Sequence, residues 1–234
     1  MAADSNFISQ IWRAGLWAGA LLLSLPVLAG PSPGTLLEGP ALVVDGDTIE
    51  IAGQRIRLEG IDAPEQAQTC RTAAGLDWPC GRVATRALFD LIGQENVACE
   101  STGTDKYGRM LGLCFLDGED INGFMVESGN AWAFVKYSQR YVGVEASARA
   151  AKTGVWQGQS QAPWEFRQNG WQVAEYAAPK GCAIKGNISK HGQIYHLPWS
   201  PWYGKVTVDE AKGERWFCSE AEAQAAGWRP AAPN

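Results

Sequence analysis

The chain has 234 residues, 46% of them hydrophobic and 19% charged, enough for one well-cored domain and a small additional module. Twenty basic residues face 25 acidic ones, a net charge of −5. That balance argues against a protein that coats nucleic acid, since such binding draws its affinity from neutralising many phosphates; an enzyme that releases its product can keep its positive charge local.

Residues 1–29 carry Arg13 and then an apolar run from Ala14 to Ala29 that only Ser24 and Pro26 interrupt. The run is short for a bilayer, which needs about 20 residues, and it ends in Val27-Leu28-Ala29, suited to cleavage after a small residue. It reads as a signal peptide, with an uncleaved anchor as the alternative. The mature protein is expected to be secreted or periplasmic, with no stable membrane span.

From Ala41 to Glu65 the chain reads ALVVDGDTIEIAGQRIRLEGIDAPE. Leu42, Val43 and Val44 end at the turn Asp45-Gly46-Asp47, and Thr48 to Ile51 resume a strand until Ala52-Gly53 turns the chain back. Ile56 and Leu58 alternate with Arg55, Arg57 and Glu59, so Arg57 faces away from the packed side. Pro64 then fixes a turn that holds Asp62 and Glu65. Asp47 and Asp62 would repel each other unless a hard cation lay between them, Arg57 offers a planar fork for phosphate, and Glu65 offers a base. Cation, anion clamp and base together point to metal-assisted phosphodiester hydrolysis.

Further along, Val83, Ala87, Leu88, Leu91 and Ile92 recur at three- and four-residue steps, which predicts an amphipathic helix from Cys80 to Gly93. Asn96 to Glu100 and Met110 to Leu116 predict a strand pair across Thr104-Asp105-Lys106-Tyr107-Gly108-Arg109. Asp120 caps a short helix whose core face is Ile121, Phe124 and Met125. A further helix, Tyr141 to Lys152, buries Val144, Ala148 and Ala151, and Trp156 seals the base of the sheet. Residues 158–180, with Gln159, Ser160, Gln161, Pro163 and Pro179, read as a linker partly packed on its neighbours. Residues 181–230 form a separate small module, in which Ser219 and Glu222 make a capping box for a C-terminal helix.

Export gives the six cysteines a meaning, because disulfides persist outside the cytosol. Six cysteines allow fifteen pairings; position favours the local set Cys70 with Cys80, Cys99 with Cys114, and Cys182 with Cys218. His191 and His196 lie between the last two, an arrangement that also allows zinc, but the spacing is not a strong zinc pattern and export favours the disulfide.

The pieces VVDGDT, RLEGIDAPE, TDKYGR and the closing KTGVW resemble the thermonuclease (staphylococcal nuclease-like) family over roughly residues 36 to 157. The resemblance implies an α+β fold, a five-stranded OB-fold β-barrel with three helices over residues 30–157. Periodicity alone leaves barrel and sandwich undecided. By the same likeness Asp47, Asp62 and the Ala63 carbonyl match calcium ligands, with Asp45 a nearby acidic residue of the metal site. Arg57 and Arg109 match phosphate-binding arginines, and Glu65 matches the general base. Lys106, Tyr107 and Tyr137 match positions that contact the nucleotide. Ala63 departs from the family's Thr, with little loss expected since the carbonyl is the ligand. The implied protein is a monomeric Ca2+-dependent nuclease acting on DNA and/or RNA, with no protein partner. Some relatives of this architecture carry names from exopolysaccharide biosynthesis, so the alternative is an inactive exported OB-type nucleic-acid-binding or envelope-assembly protein. Within residues 181–230 the pieces KGNIS, IYHLPWSPWY and ERWFCSEAEAQAAGWRP resemble the small sunset module that follows such nucleases, and the expected Cys182–Cys218 pair makes it a disulfide-stabilised C-terminal module.

Overall fold

The computed structural model describes residues 31–231, so the expected signal peptide lies outside the described residues. Alternating side chains produce five strands: β1 (Leu36–Val43), β2 (Thr48–Ile51), β3 (Gln54–Leu58), β4 (Asn96–Thr104) and β5 (Met110–Leu116). They pair antiparallel in the order β3-β2-β1-β4-β5, and β5 then meets β3 in parallel, Ile56 opposite Met110, closing the sheet into a mixed barrel. This is the expected OB-like fold. Ile49, Ile51, Ile56, Leu58, Val97 and Met110 fill its interior. At Ala52-Gly53 both residues have positive φ, 50° and 81°, the paired left-handed geometry that a tight two-residue hairpin requires. Strand β4 runs to Thr104, beyond the expected Glu100, because the ladder continues past an irregularity between Ser101 and Gly103.

Helix α1 (Cys80–Ile92) lays Ala84, Leu88 and Ile92 on the barrel and ends at Gly93. Val83, expected in its core face, is exposed, and Ala84 takes the buried place. In α2 (Ile121–Glu127), capped as expected by Asp120, the buried face is Ile121, Asn122, Met125 and Val126. Phe124, expected in the core, is rotated outward and 39% exposed. Helix α3 (Val142–Ala151) fully buries only Ala148; Val144 is half-covered and the expected Ala151 is exposed, because the helix rests on the surface of α2 by one edge. Trp156 does not seal the barrel. It meets Trp132 edge-on, centroids 5.1 Å apart, in a second cluster built on the Cys70–Cys80 disulfide.

All three expected disulfides are present: Cys70–Cys80, Cys99–Cys114 and Cys182–Cys218. Restricting the unfolded chain in this way stabilises a fold by about 2–4 kcal/mol per bridge. Cys99 and Cys114 stand directly opposite each other on β4 and β5, so that bridge clamps the strand pair feeding the Thr104–Arg109 loop. The last bridge takes up both cysteines of the zinc alternative, and His196 Nε2 lies 2.9 Å from Asn187 Oδ1.

The segment expected as a linker contains a fifteen-residue helix, α4 (Pro163–Ala177). Trp164 packs into the cluster around Trp132 and Val155, and Trp171 packs into the C-terminal cluster of Ile184, Tyr195, Phe217 and Trp228. One helix thus belongs to two cores. Beyond it β6 (Ile184–Ser189), β7 (Gly192–His196), β8 (Arg215–Phe217) and β9 (Arg229–Pro230) form a second sheet in the order β8-β6-β7-β9, with α5 (Glu220–Ala225) capped by Ser219.

Two glycines let the acidic turn lie flat on α1. A Cβ at Gly46 would stand 2.8 Å from that of Ala63, and one at Gly81 would stand 1.8 Å from the Glu65 carbonyl oxygen. Gly81→Ala therefore has to push the Glu65 backbone away and is expected to lower stability by about 1–3 kcal/mol. Gly143→Ala, in α3 with no atom within 4 Å, is expected to leave stability unchanged or raise it by up to about 1 kcal/mol. Paired thermal melts check both, and equal Tm values would contradict the close approach.

Candidate active site

The acidic turns converge because β2, β3 and the Ile61–Asp62 bridge place their ends at one edge of the barrel. Asp47 follows the Asp45-Gly46 turn, in which its own N–H donates to Asp45 Oδ1 at 3.1 Å. The Leu58 N–H donates to the Asp47 carbonyl at 2.8 Å, which brings the two segments together. Asp62 is held where Ile61–Asp62 pairs with Trp132–Ala133. It is fully buried.

Arg57 lies between the two aspartates. Its Nη1 donates to Asp47 Oδ1 and its Nη2 to Asp62 Oδ1, each at 2.8 Å. Asp47 also accepts the Thr48 hydroxyl and the Ala63 N–H, both at 3.1 Å. Burial opposes ionisation of Asp47, but Arg57 and the Ala63 N–H outweigh it and hold the carboxyl below the usual range. Burial likewise opposes the Arg57 charge, and Asp47, Asp62 and Asp45 more than offset it, so the guanidinium stays protonated.

Asp45 and Glu65 behave differently. Burial, with Asp47 and Glu65 nearby, pushes Asp45 up to about 7. Burial also pushes Glu65 up to about 7 against the pull of Arg167. In both, burial is the largest cause. The Glu65 N–H donates to Gln68 Oε1 at 3.2 Å, and Gln68 Nε2 donates to the Gln161 carbonyl at 2.6 Å, so Glu65 is braced through its backbone.

Arg109 immediately precedes β5 and is held by Asp105, which accepts its Nε and Nη2 at 2.7 Å and its backbone N–H at 3.0 Å. Its charge still reaches Asp47. The ring of Tyr107 lies under both Lys106 Nζ, 4.7 Å away, and the Arg109 guanidinium, 5.5 Å away. Tyr137 is exposed and meets Phe134 edge-on at 4.9 Å. Asp45, Asp47, Arg57, Ala63, Glu65, Lys106, Tyr107, Arg109 and Tyr137 all line one cleft of about 1230 Å³, with Asp62 behind Arg57. Every expected site residue other than the cysteines gathers at this cleft.

The site also contains a residue that sequence reasoning missed. Arg167, from α4, donates Nη2 to Asp62 Oδ2 at 2.7 Å and Nη1 to Asp62 Oδ1 at 3.1 Å and to Glu65 Oε1 at 2.7 Å. Its signal was present as a helical period: Trp164, Arg167, Gln168 and Trp171 follow at three- and four-residue steps, a single face. Asp105 and Gln68 were missed too, and nothing in their spacing announces them.

A scan against family models matches residues 55–158 to the model described as staphylococcal nuclease homologue. The chain is 35% identical over 154 residues to an uncharacterized endonuclease of Escherichia coli O157:H7, covering 62% of this chain and 92% of that protein. The chain belongs to the staphylococcal nuclease homologue family. It is also 37% identical over 146 residues to a succinoglycan biosynthesis protein, ExoI, of Rhizobium meliloti, covering 61% of this chain and 76% of that one. A probable staphylococcal-like nuclease, CAN3, of Oryza sativa subsp. japonica is 35% identical over 118 residues, 49% of this chain and 29% of the rice protein. Residues 170–230 match the model described as ArfC, in place of the expected sunset-like likeness. Family membership supports a nuclease activity for the barrel.

The family is generally calcium-dependent, and the donors suit a hard cation: carboxylates, a backbone carbonyl, and an acidic edge on which Asp45 and Glu65 resist ionisation. Among the described residues, however, no three acidic, histidine or cysteine side chains stand ready as a ligand cluster. Both oxygens of Asp62 are in ion pairs with guanidinium groups, Arg57 at 2.8 Å and Arg167 at 2.7 Å. A divalent ion held by Asp62 would compete with Arg167. Replacing Arg167 by Gln is expected to tighten calcium binding by about tenfold, one charge–charge interaction of about 1.4 kcal/mol partly screened by solvent. Calorimetric titration of calcium into the two proteins measures it; unchanged or weaker binding in Arg167→Gln would refute the competition.

Proposed function

We propose that this protein is an exported, monomeric, calcium-dependent nuclease that hydrolyses phosphodiester bonds of DNA and/or RNA. The observation that carries the reading is Arg57, bracketed by Asp47 and Asp62, in the same cleft as Glu65 and Arg109. Asp45, Asp47, Asp62 and the Ala63 carbonyl would hold the cation, which supplies Lewis-acid stabilisation of charge on the phosphate oxygens.

In this reading Glu65, already bound to a guanidinium, accepts the proton of the attacking water. Arg57 and Arg109 neutralise the charge that builds on phosphorus-bound oxygens, and both are pre-set by carboxylates, so little reorganisation is needed. Lys106, Tyr107 and Tyr137 hold the adjoining nucleotide. Export is supported by the three disulfides and by the apolar N-terminal run. Among the described residues no helix is long and apolar enough to cross a membrane.

One observation favours a second reading: the relative named for succinoglycan biosynthesis covers the barrel at 37% identity. Under that reading the barrel binds a polyanion without cutting it. A lapsed site has no physical reason to retain both arginines and Glu65 on one cleft.

Purified mature protein incubated with plasmid or RNA is expected to degrade it with calcium and to spare it with chelator. Glu65→Gln is expected to slow cleavage by about 10²–10⁴-fold, the usual contribution of a general base. Degradation that ignores the chelator would refute metal dependence. An unaffected rate in Glu65→Gln would remove that residue from the mechanism.

A further inference from the structure

The groups that hold Glu65 come from beyond the segment that matches the family. That match ends at residue 158, and three residues after it reach the loop that carries Glu65. The Gln159 carbonyl accepts the Arg71 N–H at 3.0 Å, the Gln161 carbonyl accepts Gln68 Nε2 at 2.6 Å, and Arg167 Nη1 donates to Glu65 Oε1 at 2.7 Å. Gln68 in turn accepts the Glu65 N–H. The backbone and the carboxylate of Glu65 are thus both held by one stretch of chain.

Helix α4 has other means of staying in place. Trp164 stacks on Phe134, centroids 5.5 Å apart and planes 9° apart, and the Phe134 N–H donates to the Gly60 carbonyl at 2.8 Å, next in the chain to Ile61–Asp62. Trp171 docks the helix in the C-terminal cluster. A buried ion pair is, besides, a weak source of stability, because desolvation offsets its attraction. What Arg167 adds is registry. Arg57 joins Asp47 to Asp62, and Arg167 joins Asp62 to Glu65, so an unbroken chain Asp47–Arg57–Asp62–Arg167–Glu65 ties the base to the phosphate-binding arginine. The contacts to Asp62 Oδ2 and Glu65 Oε1 use different nitrogens, Nη2 and Nη1. Nη1 can therefore stay on Glu65 when Asp62 Oδ2 is given up to a cation.

We propose that Arg167 is a positioning residue for Glu65, and that through it α4, outside the family segment, sets the rate of the chemical step. Its planar fork fixes the rotamer and plane of the Glu65 carboxylate relative to Arg57. A glutamate side chain otherwise turns about several bonds, and a misplacement of about 1 Å in a reacting group costs on the order of a hundredfold in rate. This rests on the nuclease reading and deepens it by adding a residue to the same site.

The test uses purified mature protein and initial rates on a short oligonucleotide carrying fluorophore and quencher, at saturating calcium so that differences in metal affinity do not enter. Arg167→Gln is expected to lower kcat by roughly ten- to a hundredfold and to leave KM within about twofold. In calorimetry without substrate the same variant is expected to bind calcium more tightly, the opposite sign. Arg167→Lys keeps the charge but not the fork, and is expected to recover part of the loss, to about three- to tenfold below the unmodified chain. Unchanged kcat in Arg167→Gln, or a raised KM with kcat intact, would overturn the inference. Loss of calcium affinity together with turnover would mark Arg167 as merely structural and overturn it too. Full kcat in Arg167→Lys would do the same, and reads out even where Arg167→Gln does not fold. Cleavage of neither DNA nor RNA by the unmodified chain would sink the nuclease reading and this inference with it; normal cleavage by the unmodified chain and by both variants would sink the positioning role alone.

Discussion

Arg57 is placed between two buried carboxylates that no other arrangement of this edge would tolerate. Asp47 and Asp62 arrive from separate turns; Arg57 helps hold the Asp47 carboxyl below the usual range, whereas burial keeps that of Asp62 raised against the pull of Arg167 and Arg57. The fork satisfies both at 2.8 Å, and in doing so it fixes where β2, β3 and the Ile61–Asp62 bridge end relative to one another. Gly46 and Gly81 then permit α1 to close on the turn from behind. The residues that organise the site therefore also hold the fold together there, and a change in one is felt by the other.

That dual role explains how much could be read in the sequence. Turn chemistry at Asp45-Gly46-Asp47 and Ala52-Gly53, the alternation through Leu58 and the fixed backbone at Pro64 are local properties, so the strands, the outward direction of Arg57 and the gathering of acids followed from them. Helix faces were less legible. Val83 and Phe124 are as apolar as the residues expected beside them, and which side of a helix meets the barrel is decided by packing against strands distant in sequence. Closure of the barrel depended on a parallel pairing between β3 and β5 that no local pattern encodes.

Arg167 and α4 show a different kind of illegibility. Composition marked residues 158–180 as connective, with glutamine, serine, glycine and proline. A helical period carried by two tryptophans lay beneath that composition and anchors the helix at both ends, Trp164 in one cluster and Trp171 in another. Between those anchors only one rotation of the helix is allowed, and it brings Arg167 to Asp62 and Glu65. The site is thus completed by a residue about a hundred positions from its partners.

The charge distribution limits what the cleft gains from phosphate contacts. A net charge of −5 offers a polyanion no long-range attraction from the molecule as a whole. The cations that matter, Arg57, Lys106, Arg109 and Arg167, line the cleft, and the three arginines among them are neutralised by adjacent carboxylates. Such a surface gains little from phosphate contacts alone, because each phosphate must compete with a carboxylate already in place. Affinity then has to come from a contribution that salt and net charge do not weaken.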